Sequence, residues 1–244
     1  MTDSLLTPLL AQHTYKSLDS QNFIFTFSFS EATLKSLPFE TILSHEETQQ
    51  FLRYINPASK TQFCITRTYL RIILSHFMNL DPHQITFEKS DKGKLFIPNS
   101  LLSFNVSHSH LMGVIAVSTT PMIGIDIEYI KPHYNYQRIV NRYFTPSEQQ
   151  WLANQPESVQ TTSFFNIWTG KEAVAKATGL GFSINFSSFS IIPNDSTIST
   201  VISANPYLKM STSFFLEYLN LSSDYSCCVA IHSNKKMITV LSLT

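Results

Sequence analysis

MIGIDIEYI, residues 122–130, alternates branched apolar residues with small or acidic ones. A period of two marks a β-strand, whose side chains point to opposite faces in turn. Ile123, Ile125 and Ile127 therefore share one face, and Gly124, Asp126 and Glu128 the other. Carboxylates two residues apart on one face stand roughly 6.5–7 Å from each other, a gap that a cation ligated by each at about 2.0–2.1 Å can bridge. An acidic, solvated strand face fits the same pattern. Gly124 weighs slightly against that, because a strand glycine can mark close approach of a ligand or a second backbone.

On both sides of this strand the chain reads alike. Upstream, FIFTFSF at 23–29 places Phe at every second position, as in a strand with one buried aromatic face. The spacing then predicts a helix over 57–79, opened by Pro57, with Phe63, Leu70, Ile73 and Phe77 near one stripe and Arg67 and Arg71 together on another side. Strands are expected at 84–88, 103–106, 112–118 and 122–129, with a turn from Asp91 to Gly93. Downstream, 131–135 reads as a connector and RIVNRYF as helical. Thr145, Pro146 and Glu148 form a capping box, and a long helix over 158–178 stops at Gly179 and Gly181. Strands at 186–192, 197–202, 213–219, 225–233 and 236–243 complete the pattern. The expected fold is α+β, with two similar halves, 1–122 and 123–244, related by a pseudo-twofold. The cleft between such halves is a favoured ligand site.

Composition excludes several classes. With 43% hydrophobic residues and 19 Phe, the chain is not a disordered one, and 244 residues bury a sizeable core without staples. The 17 basic and 17 acidic side chains cancel, which argues against a general nucleic-acid binder. Cys64, Cys227 and Cys228 make no CxxC pair or disulfide framework and read as reduced core residues. With no secretory signal and no run near the ~20 apolar residues of a membrane span, the expected location is the cytoplasm, away from the membrane.

Three further stretches can carry chemistry. In FFNIWTGKEAVAKATGLGF, 164–182, Trp168, Glu172 and Lys176 recur every fourth residue, near one helix face. The pair also fits a solvated Glu–Lys contact, but Trp168 argues for an inward face, where Glu172 and Lys176 need partners. SFNVSHSH, 103–110, gathers Asn105, Ser107 and His108 at a strand end, where such donors suit an anion, without the order of a hydrolytic triad or metal spacing. EKSDKGKLF, 88–96, is a lysine-rich turn around Gly93 that alone fits a solvated hairpin.

Together and in this order, these stretches resemble the 4′-phosphopantetheinyl transferases of the surfactin-synthetase-activating type. The resemblance rests on Gly124-Ile125-Asp126-Ile127-Glu128, on Trp168-Thr169-Gly170-Lys171-Glu172-Ala173 with Lys176, on Phe104-Asn105-Val106-Ser107-His108-Ser109 and on Phe144-Thr145-Pro146-Ser147-Glu148. It covers about Phe51 to Gly181. One departure is Gly93-Lys94-Leu95, where the family usually has proline third, so a less rigid turn is expected. The resemblance implies a pseudo-symmetric monomer that binds coenzyme A between its halves. Such an enzyme transfers the phosphopantetheine arm to a serine of an apo acyl or peptidyl carrier protein and releases adenosine 3′,5′-bisphosphate. It further implies that Asp126, Glu128 and Glu172 hold Mg²⁺, that Glu172 accepts the serine proton and that Lys176 stabilises phosphate charge. Ser107 and His108 would grip the nucleotide phosphate with Lys89, Lys92 and Lys94, and Arg67 would take the coenzyme's 3′-phosphate. The alternative is a catalytically impaired module of the same fold that binds coenzyme A or a carrier.

Overall fold

The computed structural model describes residues 15–19, 21–193, 198–202, 213–232 and 237–243. Its strands are β1 (Gln21–Ser28), β2 (Glu88–Lys89), β3 (Leu95–Phe96), β4 (Ser103–Ser109), β5 (Met112–Ser118), β6 (Ile123–Tyr129), β7 (Ile198–Ile202), β8 (Ser213–Tyr218), β9 (Tyr225–His232) and β10 (Met237–Ser242). The helices are α1 (Glu31–Ser36), α2 (His45–Arg53), α3 (Pro57–Met78), α4 (Gln137–Tyr143), α5 (Pro146–Ala153) and α6 (Glu157–Thr178). One sheet runs β10-β1-β5-β4 and the other β6-β9-β8-β7, while β2 and β3 form a small hairpin. The predicted boundary at 122/123 falls between β5 and β6. The last strand nevertheless returns to the first sheet, where β10 pairs in parallel with β1.

The two sheets form the inner layers between the two long helices. Phe23, Phe25 and Phe27 of β1 pack with Leu70, Ile73 and Phe77 of α3. Ala173, Val174 and Ala177 of α6 pack with Phe214, Leu216, Cys228 and Ala230 of the second sheet. Between the sheets, Ile24, Val114 and Ala116 meet Ile123, Ile125, Ile127 and Val229. Residues 22–27 of β1 are therefore buried throughout, a correction to the expected single buried face. The strand lies inside its sheet and is covered on both sides, by a helix and by the other sheet.

Other differences have local causes. The stretch 30–56 contains α1 and α2, whose first turns are capped by Ser30 and Ser44. In place of a strand at 84–88, Asp81 caps a 3-10 turn at Pro82–Gln84, and only Glu88–Lys89 pairs. In place of a strand at 186–192, a 3-10 turn spans Phe186–Ser188, capped by the Asn185 side chain. The carbonyls of Phe186 and Phe189 there accept from the Lys171 ammonium, at 2.7 Å each. The expected strand ends at 197, 233 and 236 lie outside the described residues. The capping box of Thr145 and Glu148 is present, and Gly179, with φ of 71°, ends α6. No helix of the described residues is long and apolar enough to cross a membrane.

Candidate active site

Gly124 lets α6 lie directly on β6. A Cβ there would sit 2.1 Å from the carbonyl oxygen of Ala173 and 2.3 Å from the nitrogen of Ala177. This close approach brings the last turns of α6 beside the acidic face of β6. Lys176 Nζ donates to Asp126 Oδ1 at 2.7 Å and to Ser107 Oγ at 2.7 Å, and Ser107 Oγ donates to Asp126 Oδ1 at 2.9 Å. Trp168, two turns earlier on that stripe, packs against Tyr143 and Phe186 rather than facing water.

Edge strands β4 and β6 belong to different sheets, and side chains join them where a backbone ladder would otherwise run. Asn105 Oδ1 accepts from Ile125 N at 2.9 Å, Ser107 Oγ from Ile127 N at 3.4 Å and Ser109 Oγ from Tyr129 N at 3.0 Å. Ser109 also donates to Glu128 Oε2 at 2.9 Å. The period of two selects these residues: positions 105, 107 and 109 face β6, whereas 106 and 108 face away. Ser107 and His108 thus do not point together. Ser107 lies in the seam, and His108 faces a cavity beside α3.

The carboxylates crowd one another. Desolvation, then Asp126 and Glu128, raise the Glu172 carboxyl to about 7, against the pull of Lys176. Desolvation and Asp126 likewise raise Glu128, while the Ser109 hydrogen bond lowers it. Asp126 Oδ2 is buried and has no hydrogen-bond partner. Among the described residues, no three His, Cys, Asp or Glu side chains are already gathered around a metal-sized point. The donors nevertheless suit a hard cation. They are carboxylate oxygens, they repel one another, and one of them is buried and orphaned.

Two cavities flank the seam and share Leu95 and Val106. One, of about 280 Å³, is lined by Lys92, Lys94, Asn105 and Lys176. The other, of about 410 Å³, is lined by Tyr54, Gln62, Thr66, Arg67 and His108. Arg67 pairs loosely with Glu47 at 3.5 Å, and its Nη1, like Thr66 Oγ1, is buried without a partner. Desolvation and then Lys176 lower the pKa of His108. Lys89 is exposed on β2. Lys94 turns out differently placed: its Nζ donates to Lys176 O, Ala177 O and Ile123 O at 2.7, 3.1 and 3.2 Å, so its hydrogens point at protein carbonyls. The turn carrying it is closed despite Leu95, with Gly93 N donating to Ser90 O at 2.8 Å and Ser90 N to Lys94 O at 2.9 Å.

Two buried ion pairs went unread in the sequence. Glu148 does more than cap α5: its Oε2 pairs with Lys171 Nζ at 2.9 Å, and both side chains are fully buried. Glu148 Oε1 accepts from Ile191 N at 2.7 Å. Arg71 pairs with Glu47 and donates to Pro82 O and Ile85 O, which fastens α3 to α2. The period-two polar run Asn105, Ser107, Ser109 was the available signal for the seam. The ion pairs leave no such trace, since their partners lie 23 or more residues apart.

The family model of the 4′-phosphopantetheinyl transferase superfamily matches residues 122–230, from β6 into β9. The chain is 31% identical over 193 residues to the 4′-phosphopantetheinyl transferase HetI of a Nostoc species, covering 78% of this chain and 77% of the relative. It is 33% identical over 203 residues to the 4′-phosphopantetheinyl transferase gsp of Aneurinibacillus migulanus, covering 83% and 81%. It is 34% identical over 163 residues to the 4′-phosphopantetheinyl transferase Sfp of Bacillus subtilis strain 168, covering 61% and 71%. Relatives of this identity and coverage, joined to the acidic strand and the helix packed on it, show that the chain belongs to the 4′-phosphopantetheinyl transferase superfamily.

Proposed function

We propose that this enzyme moves the 4′-phosphopantetheine arm of coenzyme A onto a serine of an apo acyl or peptidyl carrier protein and releases adenosine 3′,5′-bisphosphate. One observation carries the reading: Lys176 Nζ bridges Asp126 and Ser107 at 2.7 Å each, at the seam where the two sheets meet and on the wall of a cavity. Phosphoryl transfer needs positioned charge more than covalent catalysis. Two of the three ammonium hydrogens of Lys176 orient it, and the third can turn to a diphosphate lying in the cavity. Arg67 Nη1 and His108 suit the separate 3′-phosphate. Lys92, exposed in the turn beside the first cavity, adds screening charge.

Asp126, Glu128 and Glu172 would hold Mg²⁺, which when bound neutralises diphosphate charge. Glu172 accepts the hydrogen of the carrier serine as the serine oxygen bonds to phosphorus. The bond from that phosphorus to the bridging oxygen breaks, and Lys176 stabilises charge on the departing phosphate. In this reading residues 1–122 and 123–244 form the two halves of one site, and the protein works as a monomer.

Incubating the protein with coenzyme A, Mg²⁺ and a panel of apo carrier proteins should give carriers heavier by one phosphopantetheine in mass spectra. A folded protein that modifies none of them refutes the reaction. Glu172→Gln should keep the fold and lower kcat on the order of 10²- to 10⁴-fold. Wild-type turnover in that variant would remove Glu172 from the proton transfer.

A further inference from the structure

The β2–β3 hairpin belongs to the first half of the chain, yet its Lys94 side chain ends in the second. Lys94 Nζ reaches the carbonyls of Lys176 and Ala177, in the last turn of α6, and that of Ile123, at the start of β6. An ammonium has three hydrogens, and here three carbonyls take them. The final carbonyls of a helix lack partners within it and carry its negative pole, so a cation there is doubly favoured. Burial pulls the Lys94 ammonium down to about 8. The three carbonyls and the helix pole act in the opposite direction.

The position of these contacts matters. Lys176 is the residue whose side chain meets Asp126, and Ile123 lies three residues before Asp126 on the same strand. The hairpin is itself anchored, since Lys94 N donates to Ser90 Oγ at 3.1 Å and Leu95 packs on the core of the first sheet. One side chain therefore fixes the offset between the helix and the strand that carry the reacting groups.

We propose that Lys94 is a positioning residue that locks the end of α6 to the start of β6 from the opposite half of the molecule, and that it does not bind phosphate. The inference rests on the reading of Asp126, Glu172 and Lys176 as the reaction centre. Steady-state kinetics of Lys94→Met should show kcat reduced on the order of 10- to 100-fold, as for a small misplacement of reacting groups. KM for coenzyme A should change less than about twofold, since no binding contact is lost. Amide hydrogen exchange at Gly179 and Leu180 should accelerate in the same variant. A raised KM with kcat retained, or no change in either, overturns the proposal.

The unaltered protein offers a second measurement that needs no variant to fold. On reductive methylation with formaldehyde and dimethylamine–borane as the hydride donor, the Lys94 amine should stay unmodified both with and without coenzyme A. Modification in the free protein, with protection only by coenzyme A, would make it a phosphate ligand and overturn the proposal. Exchange and methylation require no turnover, so failure of the transferase reading leaves these results to decide the lock on their own.

Discussion

Gly124→Ala should cost about 3 kcal/mol, at the upper end of overpacking penalties, and should impair turnover as well. The added methyl would meet backbone atoms of α6, the Ala173 oxygen at 2.1 Å and the Ala177 nitrogen at 2.3 Å, which cannot rotate aside as a side chain could. Either the helix lifts from the strand or the strand bends. Both movements separate Lys176 and Glu172 from Asp126. Urea unfolding followed by circular dichroism measures the stability, and carrier modification measures the rate. A variant with wild-type midpoint and wild-type rate would mean that the strand and helix do not approach this closely.

Glu148→Gln should be comparably damaging, at about 3–5 kcal/mol, because it strands a buried charge. The Lys171 ammonium is fully buried, and its only anionic partner among the described residues is Glu148, at 2.9 Å. Lys171→Met removes that charge but abandons the carbonyls of Phe186 and Phe189. The double variant should therefore cost less than the sum of the single ones, since neither charge is left alone. Strict additivity in denaturant titrations would show that the two groups do not act as a pair. The pair also joins α5, α6 and the 184–191 segment, so its loss loosens the helix next to Glu172.

The long helices and the acidic strand are legible because their periodicity is local, and the strand at 112–118 because it is a short apolar run. The side-by-side placement of Asp126 and Lys176 was legible only through resemblance, since 50 residues separate them and no periodicity spans that gap. Burial of 22–27 on both faces is not legible in the alternation, which reports one covered face, because the second cover comes from a sheet formed a hundred residues later. Residues 186–192 read as a strand from their aromatic and branched residues. The Phe186 and Phe189 carbonyls, however, are taken by Lys171, and a propensity scale does not weigh an ammonium beneath the chain. Lys94 shows the same limit in a site residue. A lysine beside a glycine turn suggests a phosphate contact, and the three carbonyls around its ammonium, from Ile123, Lys176 and Ala177, are not visible in the sequence.

The parallel pairing of β10 with β1 matches residue 21 to residue 237. A nascent chain can assemble α3, β4 and β5 early, but the outer edge of β1 stays uncovered until residue 242 has emerged from the ribosome. That edge is flanked by Phe23 and Phe25 and offers a template to any other extended segment. Contacts this distant along the chain also form slowly. Synthesis rate, chaperone supply and growth temperature should therefore govern the soluble yield of this protein more than its final stability does, and polypeptides split at 122/123 should recover function only when both are present together.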